Sequence, residues 1–353
     1  MRRAFLVCIG LVTLGVGCSF ALDFGGYSAH VDDAQCRGAP PTQPSGATAG
    51  KDVDGLVAAF SFMSLEGKDR NGAPLVLGFN LDGYCACPDT RTCKPGVFSF
   101  GSDGGSTTAQ CDDNTASQTL VNNIRTFQPA FSDVGFNEAL RQGVFSQLLR
   151  LRSYNGLPDD PDVFVDFING LALAGDGGAP TFKGNDTWLQ EPTTNQVPRY
   201  TGNGWVSGGT LVAKFVPHFP GEEVLRMVWS LPPPGGGPSQ HIPIALSRVL
   251  ITAKVSVTGG RLTLSEGRLS GELTSRNGLQ IGRAFNACSG TAFEKTRVLF
   301  CGAADLPDKN GICDSLSFSF AFEAAPANVN GETPLPSLDP CDGGTIPPSC
   351  ASP

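Results

Sequence analysis

The sequence predicts a mainly-β protein: a β-sandwich of jelly-roll, lectin-like type with a few short helices and several disulfides. Three observations point there. About ten stretches show strand patterning, either apolar–polar alternation or short apolar runs, with Gly, Pro, Asn and Asp between them. Glycine (45) and proline (27) fill about a fifth of the 353 residues, a loop-rich composition below the level typical of disordered chains. Helix-period patterns are few and short, so strand layers must supply the core.

The chain opens with Met1-Arg2-Arg3 and an apolar run from Ala4 to Val16, too short for a comfortable membrane span. Gly17-Cys18 is similar to the lipobox of bacterial lipoproteins, with Gly15 where that pattern wants Leu. Residues 1–17 therefore read as a signal peptide and Cys18 as the lipidated N-terminus. The rival is cleavage after Ser19-Phe20-Ala21, and both routes export the protein. Residues 18–54 follow as a flexible tether, 55–325 as the sandwich and 326–353 as a Pro-rich tail.

Leu56 to Leu65 reads as a strand, with Pro74 to Cys85 as its partner across a turn from Lys68 to Gly72. A cysteine-dense loop then runs to Cys111. Asn114 is placed to cap a helix carrying Leu120, Val121 and Ile124, and Ser132 one carrying Phe136 and Leu140. The central feature is a strand pair. Leu149 and Leu151 alternate with Arg150 and Arg152, and Val163, Val165 and Phe167 share one face of the next strand, where Asp166 and Asn169 interrupt an apolar run. Between them Tyr154 to Asp162 has turn chemistry.

Residues 180 to 204 begin a long loop region carrying Trp188, Tyr200 and Trp205. Strands resume at Gly209, at Val224 to Leu231, and after a Pro- and Gly-rich break at Ile242, with Val249, Ile251, Ala253, Val255 and Val257 alternating. Gly259-Gly260 turns the chain into a strand in which Gly267 marks a bulge. Residues 284 to 304 are read as partly helical, and Ser315 to Ala324 as the last strand.

A net charge of −8 argues against a nucleic-acid partner, which would want a basic face. Apart from Cys8 and Cys18, ten cysteines remain: Cys36, Cys85, Cys87, Cys93, Cys111, Cys288, Cys301, Cys313, Cys341 and Cys350. An even number in an exported chain predicts disulfides. Cys341 with Cys350 is the best local pair, and Cys85 and Cys87 each reach Cys93 or Cys111. A zinc site made of these last four lacks the usual paired spacing.

Gly78 to Cys93 (GFNLDGYCACPDTRTC), Arg152 to Val163 (RSYNGLPDDPDV), Trp205 to Ala213 (WVSGGTLVA) and Cys313 to Ala324 (CDSLSFSFAFEA) together resemble uncharacterised exported lipoproteins of myxobacteria. The resemblance spans most of the mature chain. It implies an extracytoplasmic, cysteine-stapled protein and carries no activity with it.

Chemistry is sparse. The three histidines, His30, His218 and His241, fall in expected loops, and no nucleophile elbow, zinc-protease helix or phosphate loop is present. Glu222, Glu223, Glu266 and Glu272 lie on or near strands but lack the close pairing of a jelly-roll glycosidase. Two aspartate groups have hard oxygen ligands for calcium, Asp159, Asp160 and Asp162, and Asp305, Asp308, Asn310 and Asp314; their competing role is to cap turns. Trp188, Tyr200 and Trp205 offer rings for sugar stacking or for anchoring their loop. The expectation is a non-catalytic lipoprotein of the cell envelope, anchored in the outer membrane through its N-terminal lipid. It would bind a glycan or an envelope protein or serve a structural role, and calcium is the one cofactor left open. The alternative is a jelly-roll polysaccharide hydrolase.

Overall fold

The computed structural model describes residues 40–46, 51–75, 77–79, 81, 116–126, 128–175, 178–193, 199–216, 223–232, 239–307, 311–341, 346 and 350. The expected signal peptide, Cys18, Cys36, Cys85, Cys87, Cys93, Cys111, Asp308 and Asn310 lie outside them. In chain order the elements are β1 (Leu56–Ser64), α1 (Ala116–Arg125), α2 (Asp133–Arg141), β2 (Ser146–Arg152), β3 (Asp160–Leu173), β4 (Thr187–Gln190), β5 (Tyr200–Ser207) and β6 (Thr210–Phe215). Then come β7 (Leu225–Leu231), β8 (Gln240–Thr258), β9 (Arg261–Thr274), α3 (Ser275–Ala284), α4 (Gly290–Ala303), β10 (Leu306–Pro307), β11 (Cys313–Pro326) and β12 (Asn328–Glu332).

The protein is mainly β, as the patterning requires. The jelly-roll arrangement is not confirmed, because the strand pairings form a ring. β1, β2, β3, β5, β6, β8, β9 and β11 are antiparallel neighbours in that order, and β11 returns to β1. The ring follows chain order, so this is an up-and-down barrel, a closure that removes sheet edges. Two of its hairpins turn on Gly208-Gly209 and Gly259-Gly260, all four at positive φ, the backbone that two-residue hairpin loops demand.

The barrel interior is filled. Leu149, Leu151, Val163, Val165 and Phe167 point inward as predicted, and they meet Leu56, Phe60, Ile251, Leu264, Leu269, Phe320 and Phe322 in one buried cluster. Phe60 stacks on Phe322 with ring centroids 4.2 Å apart and meets Phe167 edge-on at 6.3 Å. Gly202 on β5 leaves room for the Phe215 ring, which would lie 2.8 Å from a Cβ there.

One end is capped by the helices and β7. Arg248 has φ 48°, and the β8–β9 register shifts between Ser247 and Val249. β8 thus bends: its first half pairs with β7, off the ring, and its second half with β6. Trp229 of β7 anchors the cap, 4.7 Å from Phe136 of α2 and 5.8 Å from Phe320 of the barrel. α2 starts where predicted, with the Ser132 hydroxyl accepting from the Gly135 N–H.

Several expectations are corrected. Among the described residues of 74–85 no strand forms, since both edges of β1 are taken by β2 and β11. Instead Phe79 and Leu81 are buried against Leu306 on the outside of the barrel. The loop expected over 180 to 204 contains β4, which pairs with the end of β3. Residues 275–284 form a helix capped by Thr274. Cys341 does not pair with Cys350. Among the described residues the pairs are Cys288–Cys341 and Cys301–Cys350, because the tail lies back over α3 and α4. Cys313 is disulfide-bonded too. Part of the expected tether lies on the barrel: the Pro41 carbonyl accepts from Trp205 Nε1 at 3.0 Å, and Gln43 donates to the Pro161 carbonyl at 2.6 Å.

Phe167→Ala should cost about 3–5 kcal/mol, the range for emptying a buried aromatic site. Equilibrium urea unfolding measures it, and a loss under about 1 kcal/mol would mean that the ring is not part of the core.

Candidate functional site

The bend in β8 opens the wall of the barrel. β6 ends at Phe215 and β7 begins at Leu225, and the described residues leave a notch between them. It is a cleft of about 360 Å³ lined by Arg199, Tyr200, Thr201, Phe215, Val216, Glu223 and Val224. That volume falls in the range of small-ligand sites.

Polar groups are fixed around it. The Tyr200 hydroxyl donates to Glu223 Oε1 at 2.8 Å, and Arg226 Nη2 pairs with Glu223 Oε2 at 2.5 Å. Below them one edge of β7 has no strand partner among the described residues, and two side-chain amides act as its neighbour. Asn169 accepts from the Val228 N–H and donates to the Arg226 carbonyl, both at 2.9 Å, while Gln147 donates to the Val228 carbonyl at 3.2 Å. Asn169 also donates to Glu191 Oε1 at 2.9 Å. Glu191 is only 4% exposed. Burial pushes its carboxyl above the usual range, opposed by the Asn169 bond and the charges of Arg199 and Arg226, and reinforced by Glu223. Burial also pushes the Tyr200 phenol well up, with Glu223 adding to the shift. The notch thus combines an apolar floor, a carboxylate fixed by two partners and the exposed Arg199 guanidinium, an arrangement suited to a small polar ligand.

Of the sequence-nominated residues, Tyr200 and Glu223 meet here. Trp188 is fully buried on β4 against Val57, Ala59, Leu148 and Ile168. Trp205 is on β5 under the Lys214 ammonium, 4.9 Å from its ring centroid. The aspartates turn to the backbone: Asp160 accepts from the N–H groups of Asn155 and Asp162, Asp159 from that of Gly208, and Asp305 from that of Ser317. Asp314 accepts from the N–H of Cys350. Glu272 pairs with Arg248 at 2.7 Å. His241 lies on β8, its Nδ1 2.8 Å from the Ser230 hydroxyl, which is buried away from the notch floor. Sequence reasoning missed Glu191, Arg199, Arg226 and Gln147. The interruption at Asn169 was the one available signal.

No family model, no curated protein and no solved structure matches the chain.

Because the folded state holds the Glu191 proton to higher pH than the unfolded chain does, this group's contribution to stability is lost as pH rises from the ordinary carboxylate range through the raised value. Asp133, raised by burial, adds a slope of the same sign. Glu191→Gln should therefore flatten the dependence without abolishing it. Urea midpoints from acid to neutral pH check this, and identical slopes in both proteins would refute the assignment.

Proposed function

We propose that this chain is an exported lipoprotein of the cell envelope, held in the outer membrane by an acylated Cys18, and that it binds a saccharide through the notch. The observation that carries the reading is the notch itself. The barrel interior is filled with side chains, so a ligand must be met at the wall, where Tyr200, Glu223 and Arg226 stand locked together beside Arg199. Planar charged groups beside an aromatic ring are suited to hydroxyl-rich ligands. The disulfides Cys288–Cys341 and Cys301–Cys350 and the bonded Cys313 favour an oxidising compartment. The lectin-like reading concerns this site and does not require a sandwich. One observation favours polysaccharide hydrolysis as a second reading: Glu191 and Glu223 are within electrostatic reach of each other, and one of them is buried.

A glycan panel should find a ligand whose affinity falls about tenfold in Tyr200→Phe and Glu223→Gln, the loss expected for one or two hydrogen bonds. A chelator arm tests calcium. Affinity unchanged in both variants would remove the notch from the reading, and product release that disappears in Glu223→Gln would select the hydrolase. Separately, the wild-type chain should partition into detergent and Cys18→Ala should not. An intact mass beginning at Leu22 without lipid would instead mean cleavage after Ala21.

A further inference from the structure

The outer wall beside the notch has an organisation of its own. Registered pairs place Arg150, Asp166 and Thr201 in one row across β2, β3 and β5. Arg152, Phe164, Asn203 and Lys214 form the next row, reaching β6. With strands about 4.8 Å apart, the second row is about 14 Å long.

Asp166 is fully buried beneath these groups. Its Oδ2 accepts from Arg150 Nε at 2.8 Å and Arg152 Nε at 2.9 Å, and its Oδ1 from Arg152 Nη2 at 2.9 Å and the Thr201 hydroxyl at 2.7 Å. One carboxylate thus holds two guanidinium groups rigid while cancelling only one of their charges. Both terminal nitrogens of Arg150 and Nη1 of Arg152 have no partner among the described residues. Arg152 also lies over the Phe164 ring at 5.4 Å, and Lys214 over Trp205. Asn203 is exposed between them. The basic strip ends at Asp162, an exposed carboxylate just before Val163. Two guanidinium groups held on one carboxylate are notable on a chain of net charge −8.

We propose that this face of β2, β3 and β5 is a docking platform for an acidic polysaccharide, laid across the strands with its carboxylates or sulfates on Arg150 and Arg152 and its sugar rings over Asn203. Donors already held in place lose little freedom on binding, and guanidinium forks match oxyanions. The inference goes beyond the notch and rests on different side chains, the two sites adjoining at Thr201. A linear chain is favoured over a lipid surface because the two rings on this face, Phe164 and Trp205, are half-buried and lie under Arg152 and Lys214. The exposed large hydrophobics among the described residues, Val134 and Leu157, lie elsewhere.

Replacing either arginine would strand Asp166, so the test uses Asn203→Glu, which puts a negative charge mid-row without touching the cluster. Ser256→Glu, exposed on β8 away from the rows, is the control. The full mature chain should bind polygalacturonate, with affinity falling as salt rises, and should not bind dextran. Asn203→Glu should weaken binding about tenfold or more through like-charge repulsion, and Ser256→Glu should not. Equal loss in both variants, equal binding of dextran, no binding of polygalacturonate, or binding only to anionic-lipid vesicles would each overturn the proposal.

Discussion

The pairing of β3 with β5 is the constraint on which everything else depends. β3 uses Asp160 to Phe167 against β5, and from Gly170 onward it turns to β4. Gly170 permits the change, since a Cβ there would lie 2.5 Å from Leu148 and 3.2 Å from Trp188. With that contact made, eight strands have no edge and the space inside must be filled. Phe60, Phe167, Phe320 and Phe322 fill it. Each fully buried aromatic or branched side chain contributes about 1.5–3 kcal/mol, so the described interior is committed to packing and recognition is sought at the wall or the rim.

The wall is where buried polar groups concentrate. Leaving one such group without a partner costs about 1–3 kcal/mol, which explains the four donors on Asp166 and the amide contacts along β7. β7 could have ended as an exposed edge, a template for unwanted pairing. Asn169 and Gln147 remove that risk with side chains alone, and the notch exists because they allow β7 to stand apart from β6. The satisfaction is incomplete, as Gln147 Oε1 and Arg226 Nε lack partners among the described residues. Polar residues that leave some capacity unused beside an open cleft fit a site shaped by more than stability.

Much of the strand content was legible because a period of two marks which face is buried, as Leu149, Leu151, Val163 and Val165 show. That period does not say which strand is the neighbour. The closure of β3 on β5 joins residues about 40 positions apart across a long Gly- and Pro-containing connection that does not name the partner strand, so an open sandwich and a closed barrel read alike. β4 and β12 were hidden for another reason: they are short, and they acquire strand geometry only from the partners they meet. Tyr200 stood out as an aromatic, but Glu191 lies in what looks like a polar loop, and its burial comes from Asn169 on a distant strand. The arginines of β2 were seen as the wet face, yet the carboxylate that locks them was visible only as an interruption at Asp166.

The tail connects these parts in a way its composition hides. Prolines and small polar residues suggest a loose end, but β12 adds to β4 and the chain then reaches the cap, where Cys341 meets Cys288 and Cys350 meets Cys301. The bridges close loops of 53 and 49 residues, and chain entropy alone makes each worth about 4 kcal/mol against the unfolded state. They fix the cap to a segment that is itself paired, through β4, with β3. The strand that closes the barrel, the buried Asn169 that supports β7 and the covalent staples of the cap therefore form one continuous load path. A notch lined from β5, β6 and the approach to β7 can hold its geometry only if that path is rigid, and this gives a physical reason for the bridges Cys288–Cys341 and Cys301–Cys350 to tie the tail to the cap.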